Sequence, residues 1–152
     1  MNALMKMIAT GFGVGLYFRA PGTFGTLLAL VPVYAMATLE VSHKFWIYIV
    51  VWLIAYLSVK SYEKDTQTHD SSSIVVDEIL GFLTIFVFFE VELILVAIAF
   101  VLFRLFDILK PGPVGWIEKK LHGRPSGTLL DDVVAGGLVI VVLELMHYQM
   151  SA

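Results

Sequence analysis

Apolar runs without a charge recur at 20–39, 45–59, 79–89, 93–103 and 133–143, each closed at its ends by acids or bases. That pattern predicts five apolar helices. Several are shorter than the roughly 20 apolar residues that span a bilayer, so flanking polar residues must sit at or just inside the interface. A soluble all-α protein with unusually apolar core helices is the competing reading, since runs of about 10–14 residues also serve as core helices. The stretch 79–103 carries Glu90 and Glu92 near its middle. A mid-bilayer carboxylate costs about 2.5–3.5 kcal/mol, so two helices turning at these acids are favoured over one long span. Pro32 predicts a kink or a partly unwound turn in the first run. Gly11, Gly13 and Gly15 interrupt the N-terminal apolar stretch; it is read as a retained interfacial or re-entrant segment rather than a signal peptide.

Composition strengthens this picture. Of 152 residues, 59% are apolar and 15% charged, against about 45–50% and 25% in ordinary soluble domains. The expectation is an all-α, polytopic membrane helix bundle forming a single domain over 1–152. A net charge of −3 disfavours nucleic-acid binding by overall basicity. The absence of cysteine removes disulfides, thiolate zinc sites and cysteine nucleophiles. Threading the helices up and down collects Arg19, Lys60, Lys64, Arg104, Lys110, Lys119, Lys120 and Arg124 on one side, which the positive-inside rule makes cytoplasmic. Glu40, Glu90, Glu92 and Glu144 fall on the other side with Lys44.

The same threading gathers Asp77 and Glu78, at the start of one helix, with Arg104, Asp107 and Lys110 at the end of the next. Asp131 and Asp132, read as opening the last helix, join them. Arg104 and Asp107 are neighbours at i, i+3, as are Asp107 and Lys110 unless Pro111 has already ended the helix. Clustered carboxylates repel unless a cation neutralises them, and hard oxygen ligands suit Mg²⁺ rather than zinc. Bases beside such a centre suit a phosphate ester. Helix-opening acids stabilised by the dipole, and an ordinary Arg104–Asp107 ion pair, are the structural alternatives for single residues.

Pro21-Gly22-Thr23-Phe24-Gly25-Thr26 opens an apolar helix with backbone N–H groups that can receive an anion, or Thr23 simply caps that helix. His69 is a candidate phosphate contact, proton shuttle or metal-proximal base, set against a plain surface-loop histidine. Gly11-x-Gly13-x-Gly15 lacks the strand and βαβ unit of a dinucleotide site. Arg124-Pro125-Ser126-Gly127 matches part of a type 2 phosphatidate phosphatase signature, but Thr128 stands where that signature has histidine.

Four blocks in order resemble the phosphatidylglycerophosphatase A family. They are Gly11-Phe12-Gly13 through Ala20-Pro21-Gly22-Thr23-Phe24-Gly25-Thr26, Ser73-Ile74-Val75-Val76-Asp77-Glu78-Ile79-Leu80-Gly81, Phe103-Arg104-Leu105-Phe106-Asp107-Ile108-Leu109-Lys110-Pro111-x-Pro113, and Leu130-Asp131-Asp132-Val133-Val134-Ala135-Gly136. The resemblance implies an integral, all-helical enzyme of the bacterial inner membrane, multi-pass by the threading above, which puts its active site on the cytoplasmic side. It implies Mg²⁺-dependent removal of the terminal phosphate of phosphatidylglycerophosphate to give phosphatidylglycerol. It places Asp77, Glu78, Asp107, Asp131 and Asp132 in the metal and catalytic site, with Arg104, Lys110 and Thr23 as substrate-phosphate contacts; Thr26 and His69 complete the candidate substrate-binding set. Gly112 stands where the family usually has an aromatic between the two prolines, and 123–127 replaces a Gly-rich turn. Attack by an activated water or through an aspartyl-phosphate are both open. A small transporter or cation channel is the alternative function, and it predicts acids spread through membrane depth and often an internal repeat. A purely structural assembly factor is a third reading.

Overall fold

A computed structural model describes residues 3–151, and every regular element among them is helical. Two short helices, α1 (Ala3–Ala9) and α2 (Val14–Tyr17), precede α3 (Pro21–Leu28) and α4 (Leu30–Ala35). They are followed by α5 (Val41–Thr66), α6 (Val76–Phe88), α7 (Leu93–Leu109), α8 (Pro113–Leu121) and α9 (Pro125–Ser151). The predicted first apolar helix is thus split at Ala29. Pro32 explains the position of the break: it has no N–H to give to Leu28, and its ring crowds that carbonyl. The turn predicted at Glu90 and Glu92 is present between α6 and α7. The helix predicted at 45–59 instead continues through the polar 61–66 segment, because Tyr62 and Glu63 are drawn into the interior.

Apolar on every side, α6 lies at the centre, as such a helix must. It packs against α9, α5, α3 and α7, and nearly all of its residues are buried. Phe82 meets Phe86, Phe100 and Phe103 at ring-centroid distances of 5.3, 6.2 and 5.7 Å. The crossing of α6 with α9 is close because both surfaces are bare there. A Cβ on Gly81 would lie 2.6 Å from the Asp132 carbonyl oxygen, and one on Gly136 would strike the Gly81 carbonyl. This crossing carries Asp132 up to the first turn of α6.

The N-terminal glycines have a packing role. Gly11 and Gly13 take φ of +54° and +94° in the turn between α1 and α2, and a Cβ on Gly15 would collide with Ser73. The Val75 N–H donates to the Ala9 carbonyl at 3.0 Å, fixing the chain that leads into α6. The segment that resembled a nucleotide loop therefore braces the entry to the acidic helix.

The two ends of the bundle separate as the threading predicted. Gly22, Glu63, Glu78, Arg104, Lys110, Thr128 and Asp131 meet at one end. Phe88, Glu90, Glu92, Leu143, Glu144 and His147 surround a cleft at the other. Among the described residues, α5 alone is long and apolar enough to cross a membrane, so a bundle of five full spans is not what these helices form by length and composition. The outward surface is nonetheless apolar. Trp46, Val50, Leu53 and Leu57 form an exposed stripe at i, i+4, i+7, i+11 on α5, and Ile94, Val101, Leu105 and Ile108 form another on α7.

The α6–α9 crossing makes a direct prediction. Gly81→Ala inserts a methyl group against Asp132 and is expected to destabilise the fold by about 1–3 kcal/mol. Gly137→Ala, where a Cβ meets open space, is expected to leave stability equal or raise it by up to about 1 kcal/mol. Thermal unfolding followed by circular dichroism separates the two; equal losses would mean that the crossing is not tight.

Candidate active site

The first turn of α6 presents Asp77 and Glu78, and the neighbouring face of α9 presents Asp132. One carboxylate oxygen from each lies within 4.8 Å of the others. All three side chains are buried or nearly so, and Glu78 Oε2 has no hydrogen-bond partner. The remaining two acids of the cluster are paired with bases. Asp107 accepts from Arg104 one turn away on α7, and Asp131 accepts from Lys110 Nζ at 3.0 Å. Arg104 also lies 3.9 Å from Glu78, and Lys110 donates to Glu118 at 2.6 Å. Five carboxylates at the cluster face two bases, which pair closely with Asp107 and Asp131, and Arg104 reaches Glu78 only at 3.9 Å.

Asp77, Glu78, Asp131 and Asp132 stand ahead of the apolar runs 79–89 and 133–143, and Asp107 follows the run 93–103, outside the stretches that would lie in a membrane. Burial first, then repulsion from Glu78, raises the Asp77 carboxyl well above its ordinary range. Asp132 is raised in the same way by burial and then by Asp107 and Asp77. Burial pushes Asp131 up to about 6 against the opposing pull of Lys110. Burial alone would lower the Lys110 ammonium, but its hydrogen bond to Glu118 and the charge of Asp131 outweigh this, so it stays above the usual lysine value. The protein has gathered more negative charge than its own bases compensate.

A hard divalent cation fits this donor set. The converging atoms are all carboxylate oxygens, one of them unpartnered and buried, and no histidine or thiolate competes among the three residues.

Several sequence-derived positions change. Asp131 and Asp132 do not open the last helix: α9 starts at Pro125, so they lie in its second turn, beyond the strongest reach of the dipole. Lys110 is not a helical neighbour of Asp107. Pro111 ends α7, Lys110 caps it at φ +46°, and its amine turns to Asp131 and Glu118. Gly112, where the family usually has an aromatic, sits at φ +45° and ψ −104°, a region open to glycine and strained for other residues. Thr23 does not cap α3; Ala20 occupies that position and Thr23 lies within the first turn. The Thr26 hydroxyl donates to the Gly22 carbonyl at 2.9 Å. His69 is not brought to the three acids: its Nδ1 lies 3.4 Å from Glu63, in a shallow cleft with Lys60 and Lys64.

Other residues shape the site without having been visible as candidates. A Cβ on Gly22 would come within 2.9 Å of the Arg104 guanidinium and would also strike Glu78, while one on Gly25 would lie 3.3 Å from Glu78 Oε2. The available signal was two glycines three apart in a helix, each unfavourable by about 1 kcal/mol relative to alanine unless something approaches closely. Glu118 and Glu63 carried no local signal, because their partners are brought by the fold.

The family model described as Phosphatidylglycerophosphatase A matches residues 7–147, a range that includes every residue of the cluster. Phosphatidylglycerophosphatase A of Escherichia coli (strain K12) is 36% identical over 138 residues, 90% of this chain and 79% of that protein. The protein of the same description from Haemophilus influenzae is 34% identical over 149 residues, 96% of this chain and 90% of that one. A putative phosphatidylinositol-3-phosphatase of Bacteroides thetaiotaomicron is 31% identical over 161 residues, 95% of this chain and 94% of its own length. No solved structure matches the chain. The match spans nearly the whole sequence, and the chain belongs to the phosphatidylglycerophosphatase A family.

Proposed function

We propose that this protein hydrolyses the terminal phosphate monoester of phosphatidylglycerophosphate, releasing phosphatidylglycerol and inorganic phosphate, with Mg²⁺ held by Asp77, Glu78 and Asp132. The observation that carries the proposal is the convergence of those three carboxylates at one end of the bundle, with Arg104 and Lys110 beside them. Names of relatives support the substrate class, since all three refer to phosphatases of phosphorylated glycerolipids. Membrane placement is supported by the apolar stripes on α5 and α7, which face outward where a water-soluble protein would be polar. The bases at the site's end support a cytoplasmic orientation in a bacterial inner membrane. Gathering of the acids at one end argues against the transporter alternative, which needs them along the membrane depth.

When bound, the cation supplies Lewis-acid neutralisation of charge on a phosphoryl oxygen. Arg104, anchored by Asp107 and Glu78, offers a guanidinium to the same group, and Lys110 adds a second positive charge. In the reaction a water oxygen bonds to phosphorus, the ester P–O bond breaks, and the released glycerol oxygen takes up a proton. Asp131, raised to about 6 and oriented by Lys110, is suited to accept the proton lost by water. The half-buried first turn of α3, with Thr23, lies next to the Arg104 and Glu78 pair, and the N–H of Thr23 is a further donor for phosphate.

Phosphate release from the purified protein is the test, measured on phosphatidylglycerophosphate, phosphatidate, phosphatidylinositol 3-phosphate and glycerol 3-phosphate. Phosphatidylglycerophosphate is expected to be the preferred substrate, with turnover abolished by chelator and restored by Mg²⁺. Asp132→Asn is expected to lower kcat/KM by about 10²-fold or more while the helical signal is retained. Turnover indifferent to both chelator and Asp132→Asn would refute the site; preference for the inositol lipid would reassign the substrate.

A second outcome follows from packing. Gly22→Ala adds no functional group but intrudes on both Glu78 and Arg104. It is expected to reduce kcat/KM by about tenfold or more, because misplacing a positioned group by about 1 Å has effects of that order. Unchanged kinetics for this variant would mean that α3 does not buttress the pair.

A further inference from the structure

Glu63 is a buried carboxylate, 4% exposed, in the last turns of α5, and the proposed reaction makes no use of it. Its Oε1 accepts from the Thr128 hydroxyl at 2.8 Å and from the Asp70 N–H at 3.2 Å. Its Oε2 lies 3.4 Å from His69 Nδ1. One side chain thus ties three pieces of chain together: the end of α5, the loop that leads to α6, and the first turns of α9. Both of the tied segments run directly into the acids. Asp70 precedes Asp77 by seven residues, and the loop between them is held again where the Val75 N–H meets Ala9. Thr128 precedes Asp131 and Asp132 by three and four residues, so all three share one face of α9, a turn apart. Among the described residues Glu63 pairs with no lysine or arginine, and a carboxylate so buried is unfavourable unless it is hydrogen-bonded; its bond from Thr128 spans 65 residues of sequence.

We infer that Glu63 is a positioning residue for the carboxylate site, setting the depth and rotation of α9 against the α6 entry so that Asp132 reaches Asp77 and Glu78. The inference rests on the cation site proposed above, and it adds a residue that neither touches the cation nor the substrate. It acts one step further out than an outer-shell contact, because it holds the segments that carry the ligands and not the ligands themselves; its removal is expected to weaken metal affinity by about tenfold, the lower end of outer-shell effects. Glutamine at this position keeps an oxygen for Thr128 and the Asp70 N–H, whereas alanine leaves the buried Thr128 hydroxyl without that acceptor and releases the exposed Asp70 N–H from α5.

The test is direct Mn²⁺ binding to the purified full-length protein, read by loss of the free-ion electron paramagnetic resonance signal, alongside the Mg²⁺ concentration giving half-maximal phosphate release. Glu63→Ala is expected to raise the Mn²⁺ Kd by about tenfold or more and to move the Mg²⁺ requirement equally. Activity at saturating Mg²⁺ is expected to recover most of the way. Glu63→Gln is expected to restore binding to within a few-fold of wild type, and Thr128→Val to give a smaller weakening than alanine at 63. Should Glu63→Ala fail to fold, Thr128→Val decides. Wild-type Mn²⁺ affinity in the Glu63→Ala or Thr128→Val protein, even with a lowered Tm, would overturn the inference. A wild-type protein that binds no Mn²⁺ would overturn the cation site itself, and this inference with it.

Discussion

Mutual repulsion of three buried carboxylates is the constraint around which this fold is organised. Asp77, Glu78 and Asp132 are held with oxygens within 4.8 Å of one another. At an effective dielectric of 20, that separation corresponds to about 3 kcal/mol of repulsion per ionised pair. Such an arrangement does not arise by default; the backbone must enforce it. The enforcement is steric, through the bare contact of Gly81 with the Asp132 backbone and of Gly136 with Gly81, which lets α6 and α9 approach as helices bearing side chains could not. Tilted and edge-on phenylalanines around Phe82 pack α6 against α7 on its apolar side.

Charge is then sorted rather than merely collected. Arg104 takes Asp107, Lys110 takes Asp131 and Glu118, and both bases remain at the edge of the cluster. What is left is Asp77 and Asp132 with no base beside them among the described residues, and Glu78 with only the 3.9 Å contact to Arg104, next to two cations that can meet a phosphate. Gly22 and Gly25 let α3 come close enough to border Glu78 and Arg104. An anionic lipid headgroup approaching the basic end of the bundle would therefore meet positive side chains first and the acids behind them, a sequence suited to a substrate that bridges the two through a cation.

Much of this was legible in the residues. Apolar runs located the main helices, the pair Glu90 and Glu92 marked a turn, and antiparallel threading put Asp77, Glu78, Arg104, Asp107, Lys110, Asp131 and Asp132 at one end. The i, i+3 rule found the Arg104–Asp107 pair, because that contact is local. Where sequence reasoning fell short, the cause was tertiary. Lys110 was ambiguous since Pro111 stops α7 and a left-handed cap redirects the amine to residues 8 and 21 positions away. Asp131 and Asp132 were placed at a helix start because the apolar run begins after them, whereas the helix itself begins at Pro125. Glu63 was invisible: nothing near it in the chain reveals a partner 65 residues on. Among the described residues only α5 has membrane-crossing length and composition, because Pro32 breaks the first apolar run and the turns after Phe88 and Leu109 hold α6 and α7 to 13 and 17 residues.

The central claim is that Asp77, Glu78 and Asp132 share one divalent cation, and a crystal structure grown with Mn²⁺ tests it most directly through anomalous scattering. The expected result is a single peak among Asp77, Glu78 and Asp132, bounded by one oxygen from each carboxylate. A cluster without anomalous density, its carboxyls closed on one another through hydrogen bonds while Mn²⁺ occupies another part of the molecule, would contradict it.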